Sequence, residues 1–106
     1  MYDKILNLIK AYSSRRRIRF SKHALTKAIE RRILIEEIEE VLENCQIINS
    51  YTSDKPFTSY LVAGFTKKNR PIHIVIALDD KDKYIWVVTV YEPDKNKWDK
   101  TFTKRL

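Results

Sequence analysis

The stretch PIHIVIALDDKDKYIWVVTVY, residues 71–91, decides the fold of this 106-residue chain. It contains two runs rich in β-branched and aromatic residues, PIHIVIAL and YIWVVTVY, on either side of the charged turn DDKDK. Such runs around a short polar turn are typical of paired β-strands. Two similar runs, QIINSYT and SYLVAGF, precede them. The sequence therefore predicts a four-stranded antiparallel meander within about residues 45–92, followed by a C-terminal tail over residues 93–106.

Three amphipathic helices are predicted before these strands, within about residues 2–43. Their apolar residues recur at the i, i+3, i+4 spacing that puts them on one helix face. Ser21 is a candidate N-cap for the second helix, and glutamates form the outer face of the third. Because the sheet needs an apolar cover, we expect an α+β fold in which the N-terminal helices pack on one face of the meander. A chain of this length has room for one core, so residues 1–106 are predicted to form a single domain.

The register of the predicted sheet follows from its turns. Turns centred just after Lys68 and at Lys81 put His73 opposite Gly64 on one neighbouring strand and Thr89 on the other. One face then collects the bulkier residues and is expected to lie under the helices: Leu61, Ala63, Phe65, Ile72, Ile74, Ile76, Leu78, Tyr84, Trp86, Val88 and Val90. The aromatic residues of the tail are expected to fold over the aliphatic end of the opposite face.

Positive charge is concentrated in the first third of the chain. The protein has 21 Lys and Arg against 14 Asp and Glu, a formal net charge of +7. Residues 1–32 carry 10 basic and 2 acidic side chains, whereas residues 33–66 carry 1 and 6. Such a charge distribution attracts polyanions such as nucleic acid, or an acidic partner protein. The alternative interpretation is a solvated surface with the enrichment in charged residues that thermophilic proteins show.

Several classes of function lack support in the sequence. The single cysteine, Cys45, excludes an internal disulfide and a thiolate zinc cluster, and we interpret it as a buried core thiol. No glycine-rich phosphate loop, H-E-x-x-H motif or G-x-S-x-G motif occurs. We therefore expect no cofactor and no metal ion. The N-terminus shows neither a cleavage site nor a long apolar run, which predicts a cytoplasmic protein without a membrane segment.

Histidine, lysine, arginine and tyrosine side chains remain as candidates for chemistry. Metal-independent RNA cleavage uses such a set: a base for the 2′-hydroxyl, cations for the phosphorane and an acid for the leaving oxygen. His23, Lys27 and Arg31 recur at i, i+4, i+8 along the second helix. We predict that His23 is a catalytic base or a substrate contact and that Lys27 and Arg31 bind phosphates. The alternative is a solvated basic stripe that pairs with glutamates.

A second group of candidates lies on the predicted strands. His73 interrupts an apolar strand and is either a hydrogen-bonded structural residue or a catalytic residue. Thr89 and Tyr91 are its expected neighbours, and Tyr91 either donates a proton, stacks on a base or serves packing alone. His73 points away from the helices. It therefore meets His23 only if the start of the second helix reaches the sheet edge.

The order of three segments resembles a small prokaryotic family, the domain of unknown function 4258. The segments are FSKHALTKAIERRILIEEIEEVLEN, PIHIVIAL and VVTVYEPDKNKW, and the resemblance covers roughly residues 18–106. The family pattern has a helix H-A-x-x-R-M-x-x-R-G-I, a central strand with a histidine, and a last strand T-V-Y-x-P-D followed by Trp. The matching positions are His23, Ala24, Arg31, His73, Thr89, Tyr91 and Trp98. Lys27 replaces the first arginine of the pattern, and Arg32 replaces its glycine.

That family in turn is similar to the RelE and barnase-like ribonuclease toxins, which implies a RelE-like fold. The resemblance implies a toxin-like, metal-independent endoribonuclease that binds RNA and is paired with a small antitoxin protein. The site would then consist of three catalytic and three substrate-binding residues: His23, His73 and Tyr91, with Lys27, Arg31 and Thr89. The alternative is a non-catalytic module that binds nucleic acid or a protein through its basic helical face. A homodimer is left open under both hypotheses.

Overall fold

The computed structural model describes residues 2–106, which form three helices and one five-stranded mixed sheet. In chain order the elements are α1 (Asp3–Ser14), β1 (Ile18–Phe20), α2 (Lys22–Glu30), α3 (Ile35–Glu43), β2 (Gln46–Tyr51), β3 (Ser59–Phe65), β4 (Pro71–Asp79) and β5 (Tyr84–Tyr91). The strands are ordered β1-β5-β4-β3-β2 across the sheet. Within residues 2–106, no helix combines the length and the apolar character needed to cross a bilayer.

The three predicted helices are confirmed, and their ends follow local sequence rules. The Ser21 hydroxyl caps α2 by accepting a hydrogen bond from the Ala24 backbone N–H at 3.0 Å. At the start of α3, the Glu37 carboxylate accepts a hydrogen bond from the Leu34 backbone N–H at 2.9 Å. The apolar stripes of the helices pack on one face of the sheet and form the core with its strands.

The prediction of a four-stranded antiparallel meander is wrong, because a fifth strand pairs with the sheet in the parallel direction. β1 lies beside β5, with Ile18 opposite Ile85. The ladder extends past both ends of β1, since the Arg17 carbonyl accepts from Ile85 at 2.9 Å and the Ser21 N–H donates to Val87 at 3.0 Å. β1 has only three residues, which is too few for an alternation to be detectable in the sequence. The α+β class is correct, but the RelE-like arrangement with a purely antiparallel sheet is not observed.

The predicted register of β3 against β4 is wrong by one residue. His73 pairs with Ala63 rather than with Gly64, because the intervening turn has a three-residue loop that ends with Asn69 in the left-handed conformation, at φ 67°. A shift of one residue moves every side chain of a strand to the other face. Gly64 consequently faces α3, where an added Cβ would lie 3.0 Å from the Val41 side chain.

A β-bulge changes the register of β5 against β4. Ala77 pairs with Trp86, one residue beyond the partner Ile85 that a turn at Lys81 implies, so the β4–β5 turn accounts for one residue of the shift. Val88 is an extra residue that has no partner on β4 and accounts for a second, so His73 pairs with Tyr91 instead of Thr89. The Val88 carbonyl accepts a hydrogen bond from the Ser21 hydroxyl at 3.1 Å. The residue that caps α2 therefore also holds the bulge.

These differences in register redistribute side chains between the faces of the sheet. The face under the helices carries the buried residues Val62, Ile72, Ile74, Ile76, Leu78, Ile85, Val87 and Val90. The opposite face, which we call the open face, carries Leu61, Ala63, His73, Val75, Ala77, Trp86, Thr89 and Tyr91. The predicted position under the helices is correct for Ile72, Ile74, Ile76 and Leu78 of β4 and for Val90 of β5. It is wrong for Leu61, Ala63, Phe65, Tyr84, Trp86 and Val88, which were expected under the helices.

Arg70, which the sequence patterns did not single out, connects two helices to the sheet. Its guanidinium donates hydrogen bonds to the carboxylates of Glu92 at 2.6 Å and Glu37 at 3.1 Å. It also donates to the carbonyl oxygens of Arg31 at 3.2 Å and Arg32 at 2.9 Å. The bond with Glu92 is the main reason that the pKa of Arg70 is raised. The end of α2, the first turn of α3 and the end of β5 are thus joined at one cation.

The residue after α2 offers a test of this local geometry. Arg32 has a φ of 54°, a left-handed conformation that costs most residues about 1 kcal/mol and glycine very little. We expect Arg32→Gly to raise the free energy of unfolding by about 0.5–1 kcal/mol in urea denaturation, because the Arg32 carbonyl stays available to Arg70. Arg32→Ala is the matched control: it removes the same side chain but keeps the strain, so it should bring no such gain. Equal effects of the two substitutions would contradict the explanation.

Candidate functional site

The tail covers only part of the open face. Residues 93–106 turn back over its end at His73, where the Trp98 ring meets the imidazole edge-on with 4.6 Å between ring centroids. This end is polar and aromatic, and the tail covers it rather than the aliphatic end because β5 finishes beside His73. The part of the face around Trp86 lies beyond the tail.

His73 ties the tail to the sheet. Its Nε2 lies 2.7 Å from the Phe102 carbonyl oxygen and its Nδ1 lies 3.2 Å from the Tyr91 hydroxyl. A carbonyl only accepts, so Nε2 carries the proton and Nδ1 accepts from Tyr91. The side chain is fully buried, and burial lowers the pKa of His73, an effect that the bond to Phe102 partly opposes. These contacts favour the structural interpretation of His73, because both ring nitrogens are already bonded within the fold.

The predicted site residues fall into two groups. His73, Tyr91 and Thr89 lie together on the open face, and the Arg31 guanidinium reaches the end of β5, donating to the Val90 carbonyl at 2.7 Å. Burial raises the pKa of Tyr91, and the nearby cations Arg105 and Arg31 oppose the rise. The phenol is therefore a neutral donor to His73.

The other two residues are separated from this group. His23 is exposed in the first turn of α2, whose buried residues Ala24 and Ala28 face the helical side of the sheet. Lys27 forms an ion pair with Glu30 at 3.1 Å, which corresponds to the solvated stripe considered as the alternative. His23 and His73 thus belong to opposite sides of the sheet, and the structure does not bring them together.

A cluster that the sequence analysis missed lies at the β1 edge of the open face. The Arg19 guanidinium is 3.6 Å from the Tyr84 ring centroid and 5.6 Å from that of Trp86. Arg17 is 4.0 Å from the Tyr84 centroid, and its guanidinium also donates to the carbonyls of Lys83 and Asp82 in the β4–β5 turn. We call Arg17, Arg19, Tyr84 and Trp86 the arginine–aromatic edge. In the sequence, this cluster is marked locally by the alternation R-I-R-F at residues 17–20. The alternation predicts the cluster only when the pairing of β1 with β5 is known.

A cleft of about 370 Å³ opens on the same face next to this edge. Trp86, Ala77 and Ser59 form its floor, and Phe57 and Pro56 of the β2–β3 loop form a wall. We call it the Trp86 cleft. It is mainly apolar, with a few polar side chains at its margin, which is the usual composition of a binding site for a small or planar group.

Two further features concern metal and thiol chemistry. Among residues 2–106, no three His, Cys, Asp or Glu side chains are grouped in a way that could hold a metal ion. Cys45 is buried, as predicted, and burial raises the pKa of its thiol to about 11. The thiol is therefore protonated and poorly reactive at neutral pH.

The fold and the face left open define the class: an α+β protein that covers one side of a mixed sheet with helices and presents arginine and aromatic side chains on the other. The chain belongs to the family described as domain of unknown function (DUF4258), whose sequence model matches residues 20–92. This match extends from the end of β1 through β5 and includes His23, His73 and Tyr91. The resemblance to this family predicted from the sequence is confirmed.

Neither the curated proteins nor the solved structures contain a significant match to the chain. The relationship to RelE and barnase-like toxins therefore has no support from these comparisons. The antitoxin partner that it implied stays a prediction, as does the homodimer.

The buried imidazole predicts a pH dependence of stability. In the unfolded chain His73 takes up a proton below its ordinary pKa of 6.5, whereas the folded protein, with its lowered pKa, does not. The folded state should therefore lose up to about 1.4 kcal/mol per pH unit as the pH falls from 6.5 towards the folded pKa, and lose nothing from this source above 6.5. Urea denaturation between about pH 5 and pH 7.5 measures this slope. His73→Gln should flatten it, because the titrating imidazole is removed; an unchanged slope in His73→Gln would refute the linkage.

Proposed function

We propose that this protein binds single-stranded RNA across the open face of its sheet and the basic residues at the β1 edge, without using the predicted histidine pair for cleavage. The arginine–aromatic edge supports this proposal most strongly. Two guanidinium groups lie over the Tyr84 ring, at 4.0 Å and 3.6 Å from its centroid, and this cluster offers both aromatic surface and positive charge to an RNA strand.

Charge around this edge supports a polyanionic ligand. Arg15, Arg16, Arg19 and Lys22 are exposed in the segment that runs from the end of α1 through β1 to the start of α2. We call them, with Arg17, the basic rim. Within residues 2–106 no salt bridge involves any of the five, and the four exposed side chains are free to approach phosphates, whereas the Arg17 guanidinium is bonded to the carbonyls of Lys83 and Asp82. Five of the ten basic residues in the first third of the chain thus lie in or next to β1, the strand at one edge of the sheet.

An open sheet suits unpaired nucleotides better than a duplex. Single-stranded RNA binds proteins mainly by stacking splayed bases on aromatic side chains, with the backbone following a basic groove. A double helix would instead require an element that enters a groove, and the exposed side of the sheet is too broad for that. Binding to RNA agrees with the predicted cytoplasmic location.

Binding is favoured over cleavage by the state of the two histidines. His73 is fully buried with both ring nitrogens bonded, so a substrate hydroxyl has no direct access to it. His23 is exposed on α2, away from the face that carries His73 and Tyr91. A general acid–base pair must reach the same phosphate from both sides.

RNA binding is testable by the salt dependence of fluorescence anisotropy with a labelled unstructured RNA. We expect the double variant Arg15→Glu, Arg16→Glu to weaken binding roughly tenfold at about 100 mM salt and to reduce the slope of log K against log salt by about 1.4, since each lost phosphate contact contributes about 0.7. The control Lys95→Glu, Lys97→Glu makes the same change in net charge on the tail and should alter both quantities much less. If the two double variants weaken binding equally, only the net charge matters and the proposed surface is wrong.

The same samples decide between binding and cleavage. RNA incubated with the protein and a metal chelator should stay intact on a denaturing gel. Cleavage that disappears in His23→Ala or His73→Gln would instead support the endoribonuclease hypothesis.

A further inference from the structure

We propose that the Trp86 cleft holds one unpaired nucleobase of the bound RNA strand. This inference rests on the proposed function and adds to it the position at which a base, rather than the phosphate backbone, is bound. It arises from four properties of the cleft: its shape, its rigidity, its polar groups and the cations beside it.

The shape of the cleft follows from the register of three strands. Trp86 on β5, Ala77 on β4 and Ser59 on β3 are direct neighbours in one row across the sheet. Two small side chains beside a large indole leave a recess that the Trp86 ring borders. Phe57 and Pro56 close the far side. The volume of about 370 Å³ lies near the lower end of the range for small-ligand sites, about 300–1,000 Å³, so the space suits one planar group rather than a folded peptide.

The wall of the cleft on the β5 side is held in place before any ligand arrives. Ser21 lines the cleft and makes four hydrogen bonds. Its hydroxyl donates to the Val88 carbonyl and accepts from the Ala24 N–H, its N–H donates to the Val87 carbonyl, and its carbonyl accepts from the Leu25 N–H. The bulge at Val88 and the first turn of α2 are therefore locked together. A preformed wall lowers the entropy lost on binding, which favours capture of a flexible strand.

The polar groups of the cleft suit the edge of a base. Ser59 is only 5% exposed and lines the cleft. A hydroxyl both donates and accepts, so it can bond to either kind of group on a base edge. Asp54 and Lys55 at the margin add an acceptor and a donor. Stacking on Trp86 together with one or two edge contacts is the usual way in which proteins hold an unpaired base.

Cations beside the cleft favour a nucleotide over an aromatic amino acid side chain. Arg19 is paired with Trp86 across β1 and β5, and its guanidinium lies 5.6 Å from the centroid of the Trp86 ring, which lines the cleft. Lys55, which is the single basic residue between positions 33 and 66, also lines the cleft. An aromatic side chain of a protein partner would fill the recess but would not use these charges. A nucleotide within an RNA strand has a phosphate on either side of its ribose, and those phosphates would lie next to the two cations.

The test compares decauridine with an abasic decamer that has the same phosphate backbone. Wild-type protein should bind decauridine more tightly than the abasic decamer. Ala77→Leu fills the recess and should weaken binding of decauridine by about tenfold, the contribution of one stacked base, while leaving affinity for the abasic decamer unchanged. Ala11→Leu is the matched control, because it makes the same substitution at an exposed position of α1, away from the open face, and it should leave both affinities nearly unchanged.

A second variant protects the test against a folding defect. Trp86→Leu keeps an apolar side chain but removes the ring, and it should also lose affinity for decauridine alone, whereas Trp86→Phe should retain most of it. The cleft proposal is overturned, with RNA binding intact, if decauridine and the abasic decamer bind equally and neither variant matters. If wild-type protein binds no RNA at all, the proposed function and the cleft proposal both fail.

Discussion

β4 must be shielded from water on both of its faces, and the arrangement of the other elements follows from this constraint. Seven of its nine residues are buried, and they alternate between the two sides of the sheet. The core residues Ile72, Ile74 and Ile76 require the three helices as their cover. His73, Val75 and Ala77 require a cover on the other side. β4 is therefore the central strand, with β5 and β1 on one side and β3 and β2 on the other.

Within residues 2–106, the three helices cover one face of the sheet, whereas the open face is covered only in part. The tail shields the end of the open face at His73, and it is attached there because the imidazole binds the Phe102 carbonyl and the Tyr91 hydroxyl. A histidine inside an apolar strand thus acts as the polar contact for a segment that has little secondary structure of its own. The remaining surface around Trp86 is apolar, aromatic and bordered by arginines. That uncovered surface is the basis of both proposals for RNA.

Electrostatics acts in two separate ways in this protein. The Arg70 guanidinium stabilises the fold, since it pairs with the carboxylates of Glu37 and Glu92. It also donates hydrogen bonds to the carbonyls of the two residues that follow α2. At the β1 edge Arg17 and Arg19 lie on aromatic rings instead of pairing with carboxylates. A count of charges along the sequence treats all three alike. The groups that each arginine contacts in the folded protein distinguish Arg70, which pairs with carboxylates, from Arg17 and Arg19, which lie over aromatic rings at the edge of the open face.

The sequence by itself determined the features that depend on neighbours within about four residues. The spacing of apolar residues predicted all three helices, the Ser21 side chain marked the start of α2, the four longer strands stood out by composition, and family membership followed from the order of these segments. For the site, it identified His73 and Tyr91 as a pair but could not show that they bond to each other and to the tail. The tertiary structure alone decided β1, whose three residues form a strand only because β5 is beside them. It also decided the register, since the loop ending at Asn69 and the bulge at Val88 are stabilised by packing and by the Ser21 bond to a residue 67 positions away. Because the register determines which face each side chain occupies, the Trp86 cleft and the separation of His23 from His73 exist only at that level.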